Sequence, residues 1–259
     1  MMARSRQFRD AAFRGPGSQA CLPCDQCVGR ALNVCKPLDD SGLRRLLSLG
    51  GIRHWKKRET LFHAGGPIGA FFKIRKGIVA VSSTLDDGRR QIVAIRAPGD
   101  CVGYLDMSGK YAFEGRALTD VEACAFDRRR FDGFAAEAPE LAAALSEALS
   151  SALRQTGQRM LVLGQLRSTE RVAHFLAELS QLYIERHMAT RPLSLHMTRS
   201  EIADYLGLTI ETVSRSIGKL KKRNIIGLID SDEVVILDRD RLLEVGKMTR
   251  SGVTIPTTI

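Results

Sequence analysis

The chain is expected to be α+β, with an N-terminal antiparallel, jelly-roll-like β-roll, a long helix and a C-terminal winged helix-turn-helix. Three observations predict this. Short apolar runs separated by glycine turns fill Gly51 to Phe126, a leucine-rich helical stretch follows Pro139, and two short helical stretches flank Gly207 in MTRSEIADYLGLTIETVSRSIGKLKKR. A length of 259 residues suits about two domains, and 44% hydrophobic content suffices for buried cores. The formal net charge of +10 favours a polyanionic partner, nucleic acid before any other. No apolar run approaches the roughly 18 residues a bilayer-spanning helix needs, so no membrane partner is expected.

Residues 1–20 mix Arg, Gly, Pro and Ser without periodicity and read as a loose tail. They lack the apolar stretch of a secretory signal, so a cytoplasmic location is expected. There the six cysteines are poor candidates for structural disulfides, and metal or redox chemistry comes first. Cys21, Cys24, Cys27 and Cys35 follow in ACLPCDQCVGRALNVCKPL. Cysteines two residues apart can present thiolates to one metal from a single turn, in zinc and iron–sulfur sites alike. The four could hold zinc by themselves, or most of a cluster with a distant ligand. The loop is too short and polar to be a core.

From Gly51 to Phe126 the strand-length runs predict a small antiparallel roll. Asp87–Gly88, between Val79–Leu85 and Gln91–Ile95, marks a hairpin. Cys101 follows a turn and Cys124 falls in the last strand. Taken alone, both read as buried core thiols. A helix is expected at about 139–164. Leu149, Leu153, Thr156, Met160 and Leu163 repeat at a 4-3-4-3 spacing, a coiled-coil seam that predicts a homodimer. Leu141 and Leu145 extend its apolar surface. A further helix is expected at about 168–187.

Thr198 and Glu201 form a capping box, in which side chain and backbone satisfy each other's free groups. Gly207 ends that helix, since glycine alone enters a left-handed turn without steric penalty. Thr209 caps the next helix. On it Val213, Ile217 and Leu220 point inward, while Glu211, Ser214 and Arg215 share another face. Such a helix enters the DNA major groove by its N-terminal half. Arg215 suits guanine O6 and N7, Glu211 a cytosine amino group, and Ser214 a base edge. Lys219 and the lysines after it would hold phosphates, and Thr209 and Thr212 complete the candidate DNA-contacting set. IIGLID and EVVILD, around Ser231–Asp232, predict a wing.

The domain plan is therefore a tail (1–20), a cysteine loop plus β-roll (21–137), a dimerisation helix (138–164), a winged helix-turn-helix (165–248) and a loose tail (249–259). The sequence contains no P-loop and no Gly-rich dinucleotide fingerprint after a strand. The five histidines form no cluster in sequence, and no enzyme is expected.

The layout resembles the CRP/FNR family of transcription regulators across about Cys21 to Leu243. GGPIGAFFKIRKGIVAVS is similar to the β-roll core, PGDCVGYLDM to the turn after it, and IETVSR to the FNR-type recognition helix. The resemblance implies that Glu211, Ser214 and Arg215 read the half-sites of a TTGAT…ATCAA palindrome in double-stranded DNA. The spacing Cys24-x2-Cys27-x7-Cys35, with Cys124 in TDVEACAFD, is similar to the FnrN/FixK-like branch. That implies an oxygen-labile [4Fe–4S] cluster held by Cys24, Cys27, Cys35 and Cys124. It further implies an activator that responds to low oxygen and has RNA polymerase as a partner. Cys21 and Cys101 are extra to the pattern. A zinc site or a thiol redox switch is the alternative. The family's cyclic-nucleotide cassette is not matched by GYLDMSGKYAFEGRALTD, where Glu114 and Arg116 stand out of pattern.

Overall fold

The computed structural model describes residues 24, 25, 27–104 and 109–248. Cys21 and the two expected tails lie outside the described residues. The chain divides into two compact units. One runs to Ser83 and resumes over Ile95–Leu149; the other takes Thr84–Ala94 and everything from Ser150 onward.

The first unit opens with two 3-10 turns, Val28–Ala31 and Asn33–Cys35, and helix α1 (Asp40–Ser48). The side chain of Asp39 caps α1 by accepting from the Gly42 amide at 2.8 Å. Eight strands follow: β1 (Gly50–Trp55), β2 (Thr60–Phe62), β3 (Ala70–Lys76), β4 (Val79–Thr84), β5 (Arg90–Arg96), β6 (Cys101–Val102), β7 (Glu114–Ala117) and β8 (Val121–Asp127). They form two four-stranded sheets, ordered β1-β8-β3-β6 and β2-β7-β4-β5. Helices α2 (Arg128–Glu137) and α3 (Pro139–Gln165) come next; most of β5, and α3 from Ser150 onward, are counted with the second unit. The expected antiparallel roll and long helix are present.

Alternation along β3 and β8 explains how this unit is layered, since successive side chains on a strand face opposite ways. Ala70, Phe72 and Ile74 of β3, with Val121, Ala123 and Ala125 of β8, fill the roll interior. Trp55, Phe62 and Tyr111 join them, with Phe62 stacked on Phe72 at 5.8 Å and tilted against Tyr111 at 4.5 Å. The opposite faces carry Phe71, Cys124 and Phe126, which pack in a second core with α1, α2 and the start of α3. Cys24, Val34, Cys35 and Leu38 belong to that second core. The loop is too short and polar to be a core by itself, but it takes part in one, because α1 and β8 supply the apolar surface that it lacks. Helices α1 and α2 were not anticipated. Both sequences, DSGLRRLLS and RRRFDGFAAE, carry a glycine and adjacent arginines, two in the first and three in the second, that mask short apolar stripes.

The second unit contains α4 (Ser168–Glu185), β9 (Leu193–Ser194), α5 (Arg199–Leu206), α6 (Ile210–Lys222), β10 (Ile226–Leu228), β11 (Glu233–Ile236) and α7 (Arg239–Val245). Helix α4 stops short of the expected residue 187, because His187 has φ of 53° and leaves the helical region. The expected wing is a three-stranded sheet ordered β10-β11-β9, so Leu193–Ser194 is an addition to the predicted hairpin. Among the described residues no helix is long and apolar enough to cross a membrane.

Candidate functional sites

One cavity of the first unit gathers all four cysteines expected to act together. Its lining includes Cys24, Cys27, Cys35 and Cys124, with Arg30, Lys73, Arg75, Leu46, Leu47, Ile52 and Phe126. Register puts Cys124 there. It pairs directly with Ile52 of β1 on one side and with Lys73 of β3 on the other, and directly paired residues share a sheet face. The sheet is thus the floor, and the 24–35 loop and α1 are the walls.

The loop is held down by polar contacts as well as packing. Arg30 donates from Nη1 to the Cys35 carbonyl at 2.6 Å and from Nη2 to the Leu38 carbonyl at 2.7 Å. Asn33 Nδ2 donates to the Gly99 carbonyl at 2.7 Å, and Lys73 Nζ to the Leu32 carbonyl at 2.7 Å. Gly99 has φ of 95°, and a Cβ there would stand 2.4 Å from Leu32 Cδ1. Only glycine therefore lets the loop approach this turn so closely. Arg30, Asn33, Lys73 and Arg75 were missed by the sequence reading. The one available signal was a lysine amid bulky apolar neighbours in AFFKIRK.

The cavity favours neutral thiols. Burial, and then the neighbouring Cys35 and Cys27, push the Cys24 thiol up to about 11. Burial pushes Cys124 up to about 12; Arg75 opposes this, and Cys35, Cys24 and Cys27 add to it. Burial also raises Cys35, against the pull of Lys73. Any metal bound here must displace protons. Soft thiolate donors suit iron–sulfur clusters and zinc. A single zinc ion needs its sulfurs within about 2.3 Å of one point. Among the described residues no group of three or more His, Cys, Asp or Glu is drawn together to hold one ion. Four thiols line a shared space with Lys73 and Arg75 beside them, a donor set that suits either centre. Cys101 does not line the cavity. It is half-buried rather than buried, because β6 is a two-residue strand at the sheet edge. Glu114 and Arg116 are engaged locally, with His63 Nδ1 at 3.3 Å from Glu114 Oε2 and Arg116 Nε donating to the Arg58 carbonyl at 3.3 Å.

The second unit presents the helix-turn-helix as its sequence implied. Thr198 Oγ1 accepts from the Glu201 amide at 3.2 Å, and Glu201 Oε2 accepts from the Thr198 amide at 2.8 Å. Gly207 has φ of 61°. Thr209 Oγ1 accepts from the Thr212 amide at 3.2 Å and so caps α6. Val213, Ile217 and Leu220 are buried, whereas Thr209, Glu211, Ser214, Arg215 and Lys219 are exposed and Thr212 is half-buried. Its own backbone amide, then the Thr209 hydroxyl, hold the Glu211 carboxyl below its ordinary value. It is therefore an acceptor at neutral pH. On α3, Leu153 is 75% exposed, Met160 70% and Leu149 47%. Thr156 is exposed too, and Leu163 half-buried. The five seam positions are thus largely uncovered within one chain.

Comparison with known proteins matches both halves. Residues 170–245 match the Crp-like helix-turn-helix domain, and residues 52–138 the cyclic nucleotide-binding domain. The nitrogen fixation regulation protein FixK of Bradyrhizobium diazoefficiens is 35% identical over 219 residues, 85% of this chain and 92% of that protein. The transcriptional activator protein FnrL of Cereibacter sphaeroides is 32% identical over 225 residues, 85% of this chain and 90% of that protein. The solved structure of FixK2 from Bradyrhizobium japonicum superposes with a TM-score of 0.70 at 30% identity, covering 76% of this chain and 96% of that one. With relatives of this identity matched over nine-tenths of their length, the chain belongs to the CRP/FNR family of transcription regulators.

Proposed function

We propose that this regulator responds to oxygen through a [4Fe–4S] cluster held by Cys24, Cys27, Cys35 and Cys124. With the cluster intact, a homodimer binds a TTGAT…ATCAA palindrome and activates transcription by RNA polymerase. The observation that carries this reading is the shared cavity: three cysteines from one loop and a fourth from β8, 89 residues beyond Cys35, line the same space. Cys24, Cys27, Cys35 and Cys124 would hold the cluster through their thiolates, and the cluster would supply an oxygen-sensitive iron–sulfide core. The chain's own residues supply the rest. Arg30, Asn33 and Lys73 seat the loop on the sheet. Cys24, Cys35 and Cys124 share their core with Ala138 and Leu141, at the start of the helix that carries the dimer seam. A loop held less firmly therefore loosens packing at the root of α3. Coupling of about 1–3 kcal/mol between cavity and seam suffices for a 5–150-fold switch in affinity. On α6, Arg215, Glu211 and Ser214 would read base edges, while Thr209, Thr212 and Lys219 contact the backbone.

The zinc alternative uses the same four thiols. One experiment separates the readings. Protein purified without oxygen should be brown, contain iron and bind the palindrome; air should bleach it and weaken that binding. Cys124→Ser should prevent assembly, while Cys101→Ser should permit it. Colourless, iron-free protein that binds its operator equally well in air would overturn the proposal.

A further inference from the structure

Lys73 stands out within the cavity. It is 2% exposed, in the middle of a strand whose neighbours Phe71, Phe72 and Ile74 are buried as well. Its Nζ donates to the Leu32 carbonyl at 2.7 Å and to the Gly99 carbonyl at 3.2 Å, and its remaining donor capacity faces the Cys35 side chain. Among the described residues no carboxylate pairs with it. Glu122, two residues before Cys124 on β8, is bound to Arg75 at 2.6 Å, and Asp100, beside Cys101, accepts from the Ala97 amide at 3.0 Å. A buried ammonium costs several kcal/mol unless a negative charge compensates it, and two neutral carbonyls do so only in part.

Register explains where that charge would come from. Lys73 pairs with Cys124 across β8 and with Cys101 across β6, so Cys124, Lys73 and Cys101 stand in one row on one sheet face. Cys35 approaches from the loop above. The ammonium is thus surrounded by sulfur rather than by carboxylates. We propose that Lys73 is the fixed counter-charge of the thiolate centre: it positions the loop through Leu32, and its charge sets how readily the bound cluster is oxidised. The inference rests on the cluster reading given above.

A positive charge next to an anionic group favours its more negative, reduced member. Replacing Lys73 by an uncharged residue should therefore lower the cluster's midpoint potential. With an effective dielectric near 20, loss of one charge several ångströms away should favour oxidation by about tenfold or more. Wild type, Lys73→Met, Lys73→Gln and Lys73→Arg would each be reconstituted without oxygen from equal amounts of ferrous and ferric iron with sulfide. Iron content, midpoint potential and the rate of absorbance loss in air are then measured. Both neutral variants should show a lower potential and about tenfold faster loss in air, and Met, which also loses the donor to the Leu32 carbonyl, should load less iron than Gln. Arg should keep both near wild type. Gln keeps a donor for the Leu32 carbonyl but no charge, so full rescue by Gln, or a Met variant indistinguishable from wild type, overturns the proposal. Should both neutral variants fail to fold, Ile52→Lys adds a charge beside Cys124 from the opposite strand. A raised potential is then expected, and an unchanged one overturns the proposal. Wild type that takes up no iron sinks the cluster reading itself and with it this inference, an outcome distinct from variants that match an iron-loaded wild type.

Discussion

Arg215 and Lys73 are both cations on regular elements, yet only one could be read from sequence. Arg215 lies on the exposed face of a helix whose inward stripe, Val213, Ile217 and Leu220, is unambiguous. Its side chain points outward by periodicity alone, toward whatever that helix meets. Lys73 falls at the polar beat of an alternating strand and would ordinarily face water. The 24–35 loop and α1 cover that face instead; the apolar neighbours in AFFKIRK signal burial but not what covers the lysine. The thiol positions were legible for a third reason, because spacing and resemblance named Cys24, Cys27, Cys35 and Cys124 without geometry. At this scale the readout can be tested directly. Arg215→Leu should cost about 1–3 kcal/mol at one guanine position and relax the preference for that base. Competition binding against operators mutated at each position in turn measures it, and an unchanged preference there removes Arg215 from base reading.

At the scale of elements, local signals predicted what local forces determine. Helices α5 and α6 follow from a capping box, a left-handed glycine and a second cap, each set by residues within four positions of one another. The hairpin at Asp87–Gly88 is equally local. What escaped was set at long range. Helix α2 buries Phe131 and Phe134 in a core completed by α1 and β8, and β9 exists because β11 offers Leu193 and Ser194 a partner. Two glycines make the contrast measurable. Gly207, at φ of 61°, has room for a methyl group, with Leu163 Cδ2 at 3.7 Å, so its strain is purely one of backbone. Gly207→Ala should lower stability by about 1 kcal/mol. Gly218 sits inside α6 with open space around it. Gly218→Ala should raise stability by about 0.5–1 kcal/mol. Thermal unfolding of the two variants should move in opposite directions; a shift of the same sign in both would show that backbone conformation is not what decides these sites.

For the whole molecule the question is what covers the stripe on α3. A single chain leaves Leu153 75% and Met160 70% exposed in line with Leu149, more apolar surface on one helix than an isolated helix in water favours. CRP/FNR regulators are dimers, and a second copy of the same stripe, packed at the 4-3-4-3 positions, would bury it. The same helix begins with Leu141 in the core that holds Cys24, Cys35 and Cys124, so the seam and the thiol cavity are continuous through one element. Leu153→Asp should therefore break the pair without disturbing the cavity, since residue 153 makes no part of that core. In a parallel seam it would set two carboxylates against each other with no compensating cation, and burying such charges costs several kcal/mol. Sedimentation should show a monomer. The iron content and spectrum of anaerobic protein should match wild type. Operator affinity should fall about a thousandfold or more, toward the non-specific level, because one recognition helix reads one half-site. A Leu153→Asp protein that stays dimeric would place the interface elsewhere; one that is monomeric yet binds the full palindrome as before would separate dimerisation from operator reading altogether.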